Sequence, residues 1–351
     1  MNISINSVKQ SRIEQVDFTN LPFGKVFSDH MLVADYANGK WSDPKILPFG
    51  KFEISPSMTA LHHGQSIFEG MKAYWGKSDK PLLFRPKDNF RRLNLSANRM
   101  CMPEIDELLF MEGLMTLVKL DQNWIPKTEG NSLYIRPIYF SNDEVIGIKP
   151  ADNYRLIIFT CPTSAYYSDP LRVKIETRYV RGSHGGVGFA KAAGNYGGAM
   201  LPTKLANDQG FHQLLWTDAY NHEYLEESGS MNVMFLINNT LVTPSLSESK
   251  LAGITRDSVL TIAKEWGMNV EDRPVSVLEL IEAAKNGSLQ EAFGTGTAAN
   301  LAPIKTIGHA DKFYDLPDLK PDSFINRMSK YLMDLKTGVL EDHHNWIVEV
   351  N

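Results

Sequence analysis

Cysteine is nearly absent: the 351 residues hold only Cys101 and Cys161, far apart and without a CxxC pair. That excludes a disulfide framework and a cysteine-rich metal site, and it fits a reducing, cytoplasmic setting. The histidines show no HExxH or comparable ligand spacing, so no metal is expected. No apolar run approaches membrane-spanning length, and no membrane partner is expected. Residues 1 to 18 mix Lys9, Arg12, Glu14 and Asp17 without an apolar core, which matches neither a signal peptide nor an acid-poor transit peptide. Positive charge is not in excess either. The net charge is -5, the pI is about 6.0, and the basic residues are scattered, so nucleic acid is not an expected partner. What is present is globular: 43% hydrophobic and 22% charged residues, in a chain long enough to form two domains.

Helical periodicity places Phe90, Leu93, Ala97 and Met100 on one face of a helix from Asp88, read as its cap, to Met100. A second helix is expected over Glu104 to Leu120. Leu133 to Phe140 and Tyr154 to Cys161 read as strands, followed by the proline-bounded stretch Pro162 to Pro170, the best linker in the chain. The expected domains are therefore 1–165 and 166–351. Further strands are expected at Arg172 to Tyr179, Gln213 to Thr217, Met231 to Ile237 and Thr240 to Thr243, with Asn238-Asn239 as the hairpin turn between the last two. Helices follow at Thr255 to Trp266, at Val277 to Lys285 with a Ser276/Glu279 capping box, and at Asp322 to Lys336. The mixed clusters of strands and helices point to two α+β lobes.

The chemistry centres on Lys191, in Gly185-Gly-Val-Gly-Phe-Ala-Lys191-Ala-Ala-Gly-Asn-Tyr196. Glycines 185, 186, 188 and 194 allow positive φ or close backbone approach. Small neighbours leave room for a flat group beside the amine, and apolar crowding favours the free amine, a Schiff-base nucleophile. Pyridoxal phosphate needs such an amine, a phosphate pocket and a carboxylate at its pyridine nitrogen, and the chain has candidates for each. Gly253-Ile254-Thr255 leads into a helix N-terminus suited to phosphate, although Thr255 could equally cap its own helix. Phe293-Gly-Thr-Gly-Thr297-Ala298 is a second candidate anion nest, and Arg85 stands just before a helix. Glu226-Glu227 precedes a Gly-Ser turn, with one of the two expected to face inward. The dinucleotide-like Gly294-Thr-Gly296-Thr-Ala-Ala299 lacks a following βαβ unit and reads as a false positive. The P-loop-like Gly70 to Ser78 has the wrong spacing.

Together, Gln65-Ser-Ile-Phe68-Glu69-Gly70, Leu83-Phe84-Arg85-Pro86, Tyr134-Ile-Arg136-Pro137, Gly185 to Tyr196, Glu227-Ser-Gly-Ser-Met-Asn232 and Phe293 to Ala298 resemble branched-chain amino-acid aminotransferases of the fold-type IV pyridoxal-phosphate class, from about residue 20 onward. The resemblance implies a homodimer with a smaller N-terminal α+β lobe and a larger, barrel-like C-terminal lobe. It implies transamination between L-leucine, isoleucine or valine and 2-oxoglutarate. By it, Lys191 carries the cofactor and moves the proton, Glu227 meets the pyridine nitrogen, and Tyr196 meets the phenolic oxygen. Arg85, the amides of Ile254 and Thr255, and Thr297 hold the phosphate. Thr297 and Ala298 take the substrate α-carboxylate, Phe68 its side chain, and Tyr134 and Arg136 a second carboxylate. Ile146 and Ile148 match a loop that reaches the partner's site. His63 stands where the family commonly has a tyrosine, and Thr297-Ala-Ala-Asn-Leu-Ala302 lacks the CxxC of mammalian members. Other fold-type IV activities, D-amino-acid transamination or aminodeoxychorismate cleavage, are the runner-up, disfavoured by Tyr134-Ile-Arg136 and the long N-terminal extension.

Overall fold

A computed structural model describes residues 2–164 and 169–351, so the centre of the expected linker, 165–168, lies outside the described residues. Contacts divide the chain into two units. The first takes the chain up to that stretch together with Ala190–Gly194 and Leu332–Asn351, and the second takes the remainder, to Phe189 and over Asn195–Tyr331. The grouping differs from the expected pieces 1–165 and 166–351 in taking two later segments with the first unit, among them the one that holds Lys191. Local pairing explains it: Ala192 bridges Ile67, and the strand Ile347–Glu349 pairs with Pro81–Phe84. These two insertions add Ala190–Gly194 and Leu332–Asn351 to the first unit.

The first unit is built on one mixed sheet. Its strands run in the order Ser4–Ile5, Lys45–Pro48, His30–Ala37, Tyr154–Thr163, Ser132–Ser141, Met71–Trp75, Pro81–Phe84 and Ile347–Glu349, with Lys40–Trp41 and Ser66–Phe68 attached at the side. Three helices precede the long central hairpin: α1 (Thr59–His63), α2 (Pro86–Arg99) and α3 (Glu107–Leu120). Helix α2 buries Phe90, Leu93 and Ala97 as the periodicity requires, but it begins before Asp88. Arg85 occupies the cap position in the left-handed region, φ 50°, and Pro86 follows at the first turn, where its missing N–H costs nothing. Helix α3 starts later than Glu104 because Asp106 caps it, accepting from Leu109 N at 3.0 Å.

The second unit closes six strands into a barrel. Leu171–Ile175 pairs in parallel with Gln213–Thr217 and with Asn300–His309. The circuit is completed through Leu225–Ser228, Met231–Ile237 and Leu289–Gly296 in antiparallel steps. Met231–Ile237 is buried at every position, as a strand covered on both faces should be. Asn238 and Asn239 both take positive φ, 48° and 61°, the signature of a two-residue hairpin turn. Helices α4 (Gly194–Asp208), α5 (Ile254–Glu265), α6 (Val277–Asn286) and α7 (Phe324–Lys336) complete the chain. Strand Leu171–Ile175 ends earlier than expected. At α6 only half of the capping box forms: Ser276 Oγ accepts Glu279 N at 3.0 Å, whereas the Glu279 carboxylate is taken by Arg273 at 2.6 and 2.9 Å. Among the described residues no helix is long and apolar enough to cross a membrane.

Candidate active site

In the first unit the Lys191 segment is bonded on both sides. Phe68 N donates to Lys191 O at 3.1 Å and Ala193 N to Ser66 O at 2.9 Å, while Lys191 N donates to the buried Ser96 Oγ of α2 at 2.9 Å. Lys191 Nζ lies 4.7 Å from the centre of the Phe68 ring. The guanidinium of Arg136 lies 4.5 Å from the same ring, and Arg136 Nη2 donates to Tyr134 Oη at 2.9 Å. A Cβ on Gly70 would meet that hydroxyl at 2.1 Å, so glycine is required for the pair to form. Arg136 Nε is buried without a hydrogen-bond partner among the described residues. Beneath the cluster, Glu69 is fully buried and accepts from Arg92 at 2.6 and 2.9 Å, from Asn89 Nδ2 at 2.8 Å and from Gly70 N at 2.9 Å. Burial pushes its pKa up, but the charge and bonds of Arg92, the charge of Lys191 and the Gly70 amide outweigh it and hold the carboxyl below its ordinary value.

Arg85, at the start of α2, donates to Asp88 at 2.7 Å and stacks 4.7 Å from Trp346. Asp88 also binds Arg91 at 2.9 Å, which is why it does not cap the helix. Ile146 and Ile148 lie in the loop after Ser132–Ser141, 68% and 93% exposed, and His63 is exposed at the end of α1. The amines depressed by burial are Lys72, to about 8, and Lys336, to about 7 with help from the charge of Lys72.

In the second unit both acids of the Glu226-Glu227 pair are buried, not one. Successive strand positions point to opposite faces, so each meets different partners. Glu227 accepts from Leu251 N at 2.7 Å and Asn232 Nδ2 at 3.0 Å, and pairs with Arg181 at 2.9 Å. Glu226 accepts from Ser249 Oγ and from Lys250 Nζ at 3.5 Å, and its Oε2 is buried without a partner among the described residues. Asn232 also donates to Leu251 O at 2.9 Å. It fixes the turn into α5, where a Cβ on Gly253 would fall 1.9 Å from Asn232 Oδ1. Gly253, not Thr255, is the cap residue of α5, and no side chain caps that end. Ile254 and Thr255 therefore open a helix N-terminus of the kind that binds anions.

Thr297 and Ala298 form the turn between Leu289–Gly296 and Asn300–His309. The dinucleotide-like glycines Gly294 and Gly296 lie in this antiparallel hairpin, at the end of the strand Leu289–Gly296. Thr295 Oγ1 beside the turn is buried without a partner among the described residues. Tyr196 is half-buried in the first turn of α4. Of the four glycines around Lys191 only Gly185 takes positive φ; Gly188 is required instead by close approach, since a Cβ there would lie 2.4 Å from Ser249 O. Arg92, Ser96 and Arg181 had no role assigned from sequence, and Glu69 and Asn232 stood inside motifs without one. Asn232, five residues after Glu227 across a Gly-Ser turn, carried a signal as its antiparallel neighbour; Arg181 carried none.

The chain belongs to the class IV aminotransferases, whose family model matches residues 66–307. These are pyridoxal-phosphate enzymes, and the residues here suit that cofactor: a lysine, a buried carboxylate paired with arginine, an uncapped helix start and the unpartnered Thr295 hydroxyl. Within the class, the chain is 40% identical over 354 residues to branched-chain-amino-acid aminotransferase 2 of Bacillus subtilis, covering 100% of this chain and 97% of that protein. It is 41% identical to branched-chain-amino-acid transaminase 1 of the same organism, over 96% of each. The Escherichia coli branched-chain amino acid aminotransferase structure is 25% identical, with a TM-score of 0.76 over 92% of this chain and 99% of that one. A branched-chain amino acid aminotransferase solved in complex with N-(5'-phosphopyridoxyl)-L-glutamate, from the organism abbreviated T.th., is also 25% identical, with a TM-score of 0.74 over 91% and 98%.

Proposed function

We infer that the residues above divide the work of a branched-chain-amino-acid aminotransferase. The enzyme moves the amino group between L-leucine, isoleucine or valine and 2-oxoglutarate. Pyridoxal phosphate, when bound, supplies the electron sink for the bond broken at the substrate α-carbon. Lys191 would hold it through its amine and, once freed by substrate, take the α-proton as base and return it as acid. Glu227 would keep the pyridine nitrogen protonated, and its arginine and two further donors fix its direction. Arg85, the Ile254 and Thr255 amides and Thr297 would bind the phosphate, with Tyr196 on the phenolic oxygen. Thr297 and Ala298 would take the α-carboxylate and Phe68 the side chain. Tyr134 and Arg136 would take the distal carboxylate of glutamate or 2-oxoglutarate.

The observation that carries this division is the Phe68 ring shared by Lys191 and Arg136. It sets a substrate-reading cation beside the proton-moving amine. The exposed apolar Ile146 and Ile148 support a homodimer in which this loop meets the partner, and the scarcity of cysteine supports a cytoplasmic setting. An amino-donor panel with 2-oxoglutarate as acceptor tests the reading. Glutamate should form from L-leucine, L-isoleucine and L-valine; turnover confined to D-amino acids would overturn it.

A further inference from the structure

Helix α2 grips the two segments that meet at Lys191. Arg92 binds the fully buried Glu69 through two bonds, 2.6 and 2.9 Å. One turn further along the same helix, Ser96 Oγ accepts the Lys191 amide at 2.9 Å and donates to Arg92 O at 3.0 Å. Glu69 is the neighbour of Phe68, whose amide bonds Lys191 O and whose ring lies under Lys191 Nζ. Residues four apart on a helix share a face, so one face of α2 fixes both sides of the contact between Phe68 and Lys191.

We propose that Glu69, Arg92 and Ser96 are positioning residues for Lys191: a buried strut that sets where the amine stands over the Phe68 ring, without touching substrate. A buried ion pair is weak support for stability, because desolvation offsets the attraction. This one has a use in geometry, since a bidentate arginine fork fixes direction as well as distance. Glu69 is also the anion of the cluster. The charged groups acting on it are Arg92 from α2 and Lys191 from its own segment. Removing the Glu69 charge should therefore disfavour a protonated nitrogen at Lys191, and the bared Arg92 pushes the same way.

The inference rests on the reading of Lys191 as the cofactor lysine, so its test begins by mapping the borohydride-reduced pyridoxyl adduct in the wild-type holoenzyme. Ser96→Ala and Glu69→Gln are then compared with it by single-turnover reaction with L-leucine and by the pH midpoint of the bound cofactor's visible absorbance. Both variants should carry the adduct on Lys191 and react about tenfold to a hundredfold more slowly, with the KM for leucine within about twofold, as for an interaction acting on the reacting geometry. Only Glu69→Gln should lower the absorbance midpoint. Ser96→Ala, which removes a hydroxyl and no charge, keeps the test valid should Glu69→Gln not fold. Wild-type rates in Ser96→Ala with the adduct on Lys191, or a loss confined to KM, would overturn the strut alone. An adduct on another lysine in the wild type would overturn the site reading and the strut with it.

Discussion

Lys191 and Arg136 rest on one aromatic ring at 4.7 and 4.5 Å, whereas Glu227 is bonded at 2.7 to 3.0 Å by an arginine, an asparagine and a backbone amide. A ring face attracts a cation by about 0.5 to 2 kcal/mol and fixes its distance more than its direction. Hydrogen bonds to a buried carboxylate are individually stronger and directional. The first arrangement suits groups that must swing between partners during a reaction; the second suits a group that must hold one proton in one place. Around Lys191 directional bonds hold the backbone, Phe68 N to its carbonyl and its amide to Ser96, while at Glu227 they reach the carboxylate itself.

The contrast is broken most severely by removing Arg181. Arg181→Ala strands the buried Glu227, and breaking such a pair typically costs about 3–5 kcal/mol, read as a large fall in the urea midpoint. Removing Phe68 as the ring platform in Phe68→Leu should cost far less stability. Comparable losses in the two variants would mean that the arrangements are equally rigid.

Next in size is Glu227→Gln. A neutral amide cannot keep the pyridine nitrogen protonated, so turnover should fall on the order of a hundredfold or more while the cofactor stays bound. Its neighbour Glu226 meets Ser249 and Lys250 instead, and Glu226→Gln should be much milder. The reverse order in steady-state kinetics would show that the wrong carboxylate has been assigned.

Arg136→Ala sharpens the account of the ring-held cations. Losing a charged hydrogen bond to the distal carboxylate should raise the KM for 2-oxoglutarate by roughly 1.5–3 kcal/mol, with little change for leucine. Half-reactions measured separately would expose an error if both suffered equally.

A last effect, spread over pH, concerns another ring-held cation of the first unit. Lys336 lies 4.9 Å from Phe84 and 5.8 Å from Tyr74. Burial, helped by the charge of Lys72, brings its pKa from 10.5 down to about 7. The unfolded chain then binds the extra proton between those values, so this residue makes stability rise with pH across the window, by up to about 1.4 kcal/mol per pH unit. Lys336→Met should flatten that rise and be stabilising near neutral pH. An unchanged slope in urea unfolding at about pH 7 and pH 9 would count against it.

Some strands were legible, because apolar runs such as Met231–Ile237 and paired asparagines at a hairpin are local signals, whereas His30–Ala37, Met71–Trp75 and Asn300–His309 were not read as strands. Most helices were legible as elements, their starts less so. Asp88 has the right chemistry for a cap, but it competes with Pro86 two residues earlier and is drawn off by Arg85 and Arg91. Glu279 is likewise diverted to Arg273. The residues expected to touch cofactor or substrate were visible through their motifs. The residues that hold them, Arg92, Ser96 and Arg181, were not, because their partners come from distant parts of the chain. The discontinuous first unit was hidden for the same reason: nothing local marks residues 190–194 as belonging with Ser66–Phe68.

The central claim is that Lys191 is the amine that carries the cofactor, and borohydride reduction of the holoenzyme followed by peptide mass mapping tests it most directly. A pyridoxyl adduct should appear on the peptide containing Lys191, persist in Glu227→Gln and vanish in Lys191→Ala. An adduct on Lys72 or Lys336, the two amines that burial holds near neutrality, would contradict it.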